Sequence, residues 1–386
     1  MSPSKKAEVM IVSGETSGDM HGGRVLEALH KKIPELRAYG MGGEALRRAG
    51  MEILVDAADM AVVGIMEVLA HLGAIIKAQN VLHNILKKRR PQLLILIDYP
   101  DFNLMLAKKA RRLNIPVLYY ISPQVWAWRS GRVKTIGRLV DEMAVILPFE
   151  KDFYAEHGLS VTYVGHPLAA YVKAPLGKEA FLAAHGITAP EKIVGIMPGS
   201  RRKEIATMLP VFLAAAERLL KSHPDTIFLL PLAPALERAV LEQNGLNDFS
   251  GTIHVIKEDR YELMAACDVV MAASGTVTLE LALLRKPMLV AYRLSALTYM
   301  LGRRFIKVDY ASLVNLIAKD EVVPELLQDN ATAEKIAATL QQIWPGTPAH
   351  AAMLKKLAGI SALLGRGGTA ENVAQIALRY LPDPTA

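Results

Sequence analysis

The run Pro198-Gly199-Ser200-Arg201-Arg202-Lys203 places a strand-breaking turn, a hydroxyl and three cations directly after the apolar segment Ile193–Met197. Such a segment suits a buried parallel strand. Glu204 then opens a helical pattern through about Lys221. Strand, glycine turn and helix start together make an anion site, because the first backbone N–H groups lack partners and the helix dipole favours negative charge. Gly199 and Ser200 would supply backbone N–H groups, and Ser200, Arg201, Arg202 and Lys203 the further donors that a diphosphate requires. The alternative, a solvated basic helix start, sets cations against the dipole.

A second strand, Asp268–Met271, runs into Ser274-Gly275-Thr276, and a helix opens with Thr276 or Thr278 near its cap. Ser274, Gly275, Thr276 and Thr278 suit phosphate oxygens. Glu280, one turn in, is placed to accept both hydroxyls of a ribose. A capping box for Glu280 would need Val277 as the cap, which valine cannot be. Two anion-ready loops and a carboxylate fit a nucleoside diphosphate. Elsewhere Gly14-Glu15-Thr16-Ser17-Gly18-Asp19 follows the first strand, Val9–Ser13, and Asp98 ends the apolar strand Leu93–Ile97. Asp98 is either a general base or a cap on the next helix, and Asp19 either a binding group or a helix N-terminal acid. Gly40–Ala45 formally fits the dinucleotide pattern G-x-G-x-x-A, but the strand before it, Arg37–Gly40, is short, polar and not the first. It reads as a tight, mobile loop on the substrate side. His21, His71 and His166 read as structural.

The elements that must position these residues alternate strand and helix with short connections, which gives doubly wound parallel sheets. The chain has 386 residues, more than one core usually supports. The expected division is residues 1–168, 169–348, and a C-terminal helical stretch, 349–386, packing back on the first domain. With 52% hydrophobic and 22% charged residues the chain is an ordered globular protein. A net charge of +7 favours an anionic partner. Only 6% of residues are aromatic, with no basic–aromatic repeat, which argues against nucleic acid. Cys267 is the single cysteine, so neither a disulfide nor a thiolate zinc cluster can form within the chain. The N-terminus lacks a signal-peptide pattern, and the expected compartment is the cytosol.

Met60–Ile76 stands apart. It is too short and too polar for a spanning helix, yet Val68, Leu69, Leu72, Ile75 and Ile76 cover most of its circumference. Downstream it ends in Lys87-Lys88-Arg89-Arg90, as an anionic lipid surface would favour. Pattern alone leaves membrane docking and an ordinary buried helix equally open.

Seven stretches carry a resemblance. They are Ser13–Asp19, Asp98–Asn103, Ser122–Trp128, Val164–Pro167, Met197–Ile205, Ser274–Glu280 and the Ser312-Leu-Val-Asn-Leu run. In this order they resemble the lipid-A-disaccharide synthase family, over essentially residues 8 to 380. Thr16 and Val314 depart from the family's frequent Ala and Pro without removing a polar group. The resemblance implies a GT-B-type inverting glycosyltransferase of two Rossmann-like domains at the cytoplasmic membrane face. It would join UDP-2,3-diacylglucosamine to 2,3-diacylglucosamine 1-phosphate (lipid X) in a β-1,6 linkage and release UDP, with no metal and no cofactor. Asp98 would be the base facing the cleft between domains, and Arg201 the leaving-group clamp. Glu280 would hold the ribose, and Asn315 would lie near the nucleotide sugar. Glu15, Ser17, Gly18 and Asp19 would face the acceptor. Substrates with acyl chains in the bilayer imply that Val68, Leu69, Leu72, Ile76 and Met208 dip into the membrane.

Overall fold

Short apolar runs, each followed by a helix, build two all-parallel sheets. The computed structural model describes residues 7–60, 65–128, 130–188, 191–294, 309–365 and 367–382, except the side chains of residues 60 and 65–72. The chain divides into two units, Met1–Pro167 with Gly367–Ala386, and Leu168–Arg366. Each is a doubly wound α/β sheet, and the pair gives the GT-B fold class.

The first unit carries β1 (Glu8–Ser13), β2 (Arg37–Gly42), β3 (Glu52–Asp56), β4 (Leu93–Ile97), β5 (Val117–Tyr120), β6 (Glu142–Val145) and β7 (Thr162–Tyr163). Their order is β3-β2-β1-β4-β5-β6-β7. Alternate residues feed two cores, as strand geometry requires. Val9, Ile11, Leu93, Ile95 and Ile97 face one side, and Met10, Val12, Leu94 and Leu96 the other. The helix Thr369–Leu378 packs on Thr16–His30 and adds Val373, Ala374, Ile376 and Ala377 to the first core. Asn372 Nδ2 fixes it further by donating to the Val164 carbonyl at 3.1 Å.

The second unit carries β8 (Lys192–Met197), β9 (Thr226–Pro231), β10 (Ile253–Ile256), β11 (Val269–Ala273), β12 (Met288–Tyr292) and β13 (Glu325–Leu327). Their order is β10-β9-β8-β11-β12-β13. In both sheets the strand order reverses once, between β1 and β4 and between β8 and β11. Open α/β sheets bind ligands at the carboxyl ends of strands flanking that reversal. The loops that begin at Gly14, Asp98, Pro198 and Ser274 leave these four strands.

Two strands escape sequence reading, β3 and β13. Both lie at sheet edges, where one side is unpaired and no continuous apolar run is needed. The expectation that all of 349–386 returns to the first domain also needs correcting. Pro348–Leu363 belongs to the second unit and packs on Thr276–Leu283, and the Met288 N–H donates to Met353 Sδ at 3.3 Å. It is Thr369–Leu378 that crosses back. Ile65–Arg89 is one helix, with Ala78, Leu82 and Leu86 in the second core of the first unit. The side chains of Val68, Leu69, His71 and Leu72 lie outside the described residues.

Candidate functional site

In the first unit, Ser13 and Ile97 are register partners, so the loops after β1 and β4 leave side by side. Tyr99 clasps them together. A Cβ on Gly14 would stand 2.3 Å from the Tyr99 ring, so glycine is required there. Asp98 and Tyr99 both adopt left-handed backbone, with φ of 46° and 48°. Such strain persists only where the surroundings over-determine it. Here the Asp98 N–H donates to the Tyr120 carbonyl at 3.0 Å. The Asp98 carbonyl accepts from Asn103 Nδ2 at 2.7 Å and from the Tyr119 hydroxyl at 2.6 Å. The helix Pro100–Arg112 has Tyr99 at its cap position and no side-chain cap, so Asp98 does not cap it. Burial, and secondarily the charge of Glu15, push the Asp98 carboxyl up to about 6. That suits a base working near neutrality.

The four candidates after β1 divide. Glu15 and Ser17 are exposed, whereas Gly18 and Asp19 are buried. Gly18 is glycine because Ser13 Oγ would lie 2.6 Å from a Cβ. Asp19 accepts from the N–H groups of Gly43, Ala45 and Leu46 at 2.6, 2.8 and 3.2 Å. It therefore satisfies the start of the short helix Glu44–Arg48, and its reading as an acceptor-binding group gives way to a structural one. The same bonds correct the reading of Gly40–Ala45 as a mobile loop. β2 runs on to Gly42, and Asp19 pins the turn from Gly43 to Leu46.

In the second unit the Pro198–Lys203 turn carries its own anion. Glu204 Oε2 accepts from the N–H groups of Ser200 and Arg201 at 2.9 and 3.2 Å, and Oε1 accepts from Arg201 Nη1 at 3.0 Å. Gly199, with φ of 115°, has Glu204 Oε2 2.4 Å from where a Cβ would sit. The expectation that the Ser200 N–H awaits a phosphate is thus corrected: Glu204 already occupies it. Arg201 remains largely exposed. Met208, assigned to membrane contact, is fully buried with Ile205, Leu209 and Phe212 on the sheet-facing side of Arg202–Leu220. That assignment fails because this helix turns its apolar stripe inward.

Among the described residues, the other turn is open. The helix Thr276–Leu283 starts with no side-chain cap and no acidic residue in its first turn. Gly275 and Thr276 are exposed, and a Cβ on Gly275 would meet nothing within 4 Å. Unpaired N–H groups at such a start suit a phosphate. Ser274 Oγ donates to the Ala311 carbonyl at 3.0 Å, and buried Thr278 donates to Gly275 O at 2.8 Å. Thr278 is therefore a brace for the turn rather than a phosphate donor.

Asn315 also changes role. It is fully buried, with Nδ2 donating to Val323 O and Glu325 Oε1, each at 2.8 Å. Its Oδ1 accepts from the N–H groups of Val322 and Val323 at 2.8 and 3.0 Å. Both ends of the amide are committed to holding the approach to β13, which makes Asn315 a brace in this structure. Glu325 completes this brace by accepting from the Ala311 and Ser312 N–H groups at 2.7 and 2.9 Å.

Glu280 is nearly buried and is ion-paired through Oε1 with Arg260, while the Tyr261 hydroxyl donates to the same oxygen at 3.3 Å. Burial raises its carboxyl, opposed first by Arg260 and then by Tyr261. Sequence reading missed Arg260 and Tyr261. The strand–turn–helix signal was present after β10, but the turn Lys257-Glu258-Asp259 has no glycine to advertise it. His21 and His166 are both held down to about 4, chiefly by burial, and stay neutral at physiological pH.

A family model described as lipid-A-disaccharide synthetase matches residues 9–356. The lipid-A-disaccharide synthase of Geobacter sulfurreducens is 49% identical over 384 residues, 99% of each chain. That of Nitrosococcus oceani is 44% identical over 373 residues, 97% of this chain and 96% of its own. Among solved structures, UDP-GlcNAc 2-epimerase from Neisseria meningitidis bound to UDP-GlcNAc aligns with a TM-score of 0.64 at 13% identity, covering 97% of this chain and 100% of that one. MurG of Acinetobacter baumannii aligns with a TM-score of 0.60 at 14% identity, with 97% and 100% covered. At such identities the likeness concerns fold alone.

Proposed function

The chain belongs to the lipid-A-disaccharide synthetase family and is a glycosyltransferase of the lipid A pathway, and from that premise we propose its substrates and mechanism. It joins UDP-2,3-diacylglucosamine to 2,3-diacylglucosamine 1-phosphate, forming the β-1,6-linked disaccharide 1-phosphate and UDP with inversion at the anomeric carbon. The observation that carries the reading is Asp98. A carboxyl raised to about 6, at the reversal of the sheet in the first unit, is matched to taking a proton from a hydroxyl near neutral pH. The acceptor's 6-hydroxyl loses its proton to Asp98 as its oxygen attacks the anomeric carbon. The bond to the diphosphate breaks on the opposite side.

The first unit takes the acceptor, with Glu15 and Ser17 as its exposed polar groups after β1. The second unit holds the donor. Its diphosphate sits at the open start of Thr276–Leu283, with Ser274, Gly275 and Thr276 nearest and Arg201 balancing the charge of departing UDP. Glu280 accepts from the ribose hydroxyls. Incubation with both acylated glucosamine substrates should yield one disaccharide per UDP released, and the anomeric proton coupling of the product should report a β linkage. Absence of disaccharide, or an α product, would overturn the substrate or stereochemical reading respectively.

The protein works at the inner face of the cytoplasmic membrane, docked on anionic lipid by its first unit. Among the described residues no helix is long and apolar enough to cross a membrane. Ile76 is 53% exposed, Met105 48% and Trp128 52%, an apolar excess on the first unit. Gln79 ties Ile65–Arg89 to Pro100–Arg112 through bonds to Phe102 and Lys109, so Ile76 and Met105 lie on neighbouring stretches of one helix pair. Serine at Ile76, Met105 and Trp128 should release the protein from vesicles containing anionic lipid while leaving its circular dichroism unchanged. Undiminished vesicle binding would remove these residues from the docking face.

A further inference from the structure

The pair formed by Arg260 and Glu280 is asymmetric in a way that a purely structural ion pair need not be. The Glu280 side chain is 6% exposed, but that of Arg260 is 46% exposed. Arg260 opens the helix Arg260–Ala266 directly after β10, so it stands at the carboxyl edge of the sheet with the two phosphate-type turns. This helix packs against Thr276–Leu283, which carries Glu280. The guanidinium lies 4.7 Å over the Tyr261 ring, and its Nη2 reaches the Tyr261 hydroxyl at 2.8 Å. The contacts to Glu280 and to Tyr261 both use Nη2, and nearly half of the Arg260 side chain stays exposed. Tyr171 is a further electrostatic neighbour from the same unit.

We propose that Arg260, seated on Tyr261, is the specificity-determining group for the nucleobase of the donor and also holds Glu280 in place for the ribose. This rests on the donor reading of the second unit. Thr276 and Glu280 lie four residues apart on one helix, about 6 Å along its axis. A nucleoside diphosphate anchored by its phosphates at Gly275 and Thr276 therefore brings its sugar level with Glu280 and its base beyond, toward Arg260. Uracil presents two carbonyl oxygens and a flat face. A planar guanidinium answers both, by donating N–H groups and by stacking. Glu280 can accept from two ribose hydroxyls only as a carboxylate. Burial works against that form, and the adjacent guanidinium restores it.

The test is calorimetric binding of UDP and of inorganic pyrophosphate to the full chain, unmodified and as Arg260→Gln, Arg260→Lys and Tyr261→Phe. Arg260→Gln should weaken UDP at least about tenfold, the equivalent of about 1.4 kcal/mol, while pyrophosphate binding stays the same. Its residual UDP binding should strengthen as pH rises, because Glu280 without its cation ionises later. Arg260→Lys keeps the charge and loses the fork, so it should recover part of the UDP preference and flatten the pH dependence. Tyr261→Phe keeps the ring that seats the guanidinium but removes the hydroxyl bonded to Arg260 and Glu280. It should therefore weaken UDP less than Arg260→Gln does, and a loss as large as that of Arg260→Gln overturns the seating role of the ring. If Arg260→Gln does not fold, the Arg260→Lys ratio of UDP to pyrophosphate affinity decides the matter, and an unchanged ratio overturns the proposal. An equal loss of both ligands, or a fall in melting temperature with the ratio intact, makes Arg260 structural and also overturns it. Failure of the unmodified protein to bind UDP would instead overturn the donor reading itself.

Discussion

Asp98 sits in a position that a free aspartate would fill poorly. An ordinary carboxylate is too weak a base to draw a proton from a hydroxyl, and burial beside Glu15 strengthens it. The raised carboxyl is charged above about 6 and protonated below, so kcat/KM should hold at neutral pH and fall about tenfold per unit on the acid side. Glu15→Gln removes a neighbouring negative charge and should move that acid limb to lower pH. Asp98→Asn should cost about 10²–10⁴-fold in kcat with UDP affinity unchanged, and a pH-independent residual rate would confirm the loss of the base. Asn315→Ala predicts a different outcome. It strands the Val322 and Val323 N–H groups, each worth about 1–3 kcal/mol, and should lower the urea midpoint. Asp98 was legible as a polar residue ending an apolar strand. The commitments of Asp19, Asn315 and Glu204 were not, because a side chain's partners are set by folded neighbours. Asp19 meets Gly43, Ala45 and Leu46 only once β1 and β2 are paired.

At the scale of elements, helix starts that look alike in sequence turn out to differ. Arg202–Leu220 begins with Glu204 folded back on its own N–H groups, and Thr276–Leu283 begins with no such partner among the described residues. Giving the second helix an acid of its own, as Thr276→Asp, should weaken UDP about tenfold or more through charge repulsion at the phosphates. The same change at the exposed Ala206, on the already capped helix, should leave UDP affinity unaltered. The central strands and most helices can be read from apolar runs and their punctuation, while edge strands β3 and β13 cannot. Sequence ends β2 too early, at Gly40, because its last residues are glycine and methionine in a run that resembles a loop. Gly40 has φ of 151° and a Cβ there would lie 2.0 Å from the Ile11 carbonyl oxygen. Gly40→Ala should therefore separate β1 from β2 and cost several kcal/mol in a denaturant titration. A cost under about 0.5 kcal/mol would mean that the strands can shift to make room.

For the whole molecule, the alternation of strand and helix is enough to expect two doubly wound units, but the path of the C-terminal helices depends on which apolar faces are left uncovered. Thr369–Leu378 closes the core that Val25, Leu26 and Leu29 leave open on Thr16–His30. Ala374→Asp places a charge in that core and should lower the melting temperature of the first unit. UDP binding by the second unit, which contains none of these residues, should survive in the same sample. The crossing also sets an order of events during synthesis. All of Leu168–Arg366 is translated after the seven strands of the first sheet and before the helix that completes one of its cores. The N-terminal unit must wait with the part of this core beside Thr16–His30 uncovered while a second nucleus forms downstream, which reverses the usual first-made, first-folded sequence. A nascent chain halted near Arg366 should then bind UDP while still recruiting chaperones that recognise exposed apolar surface.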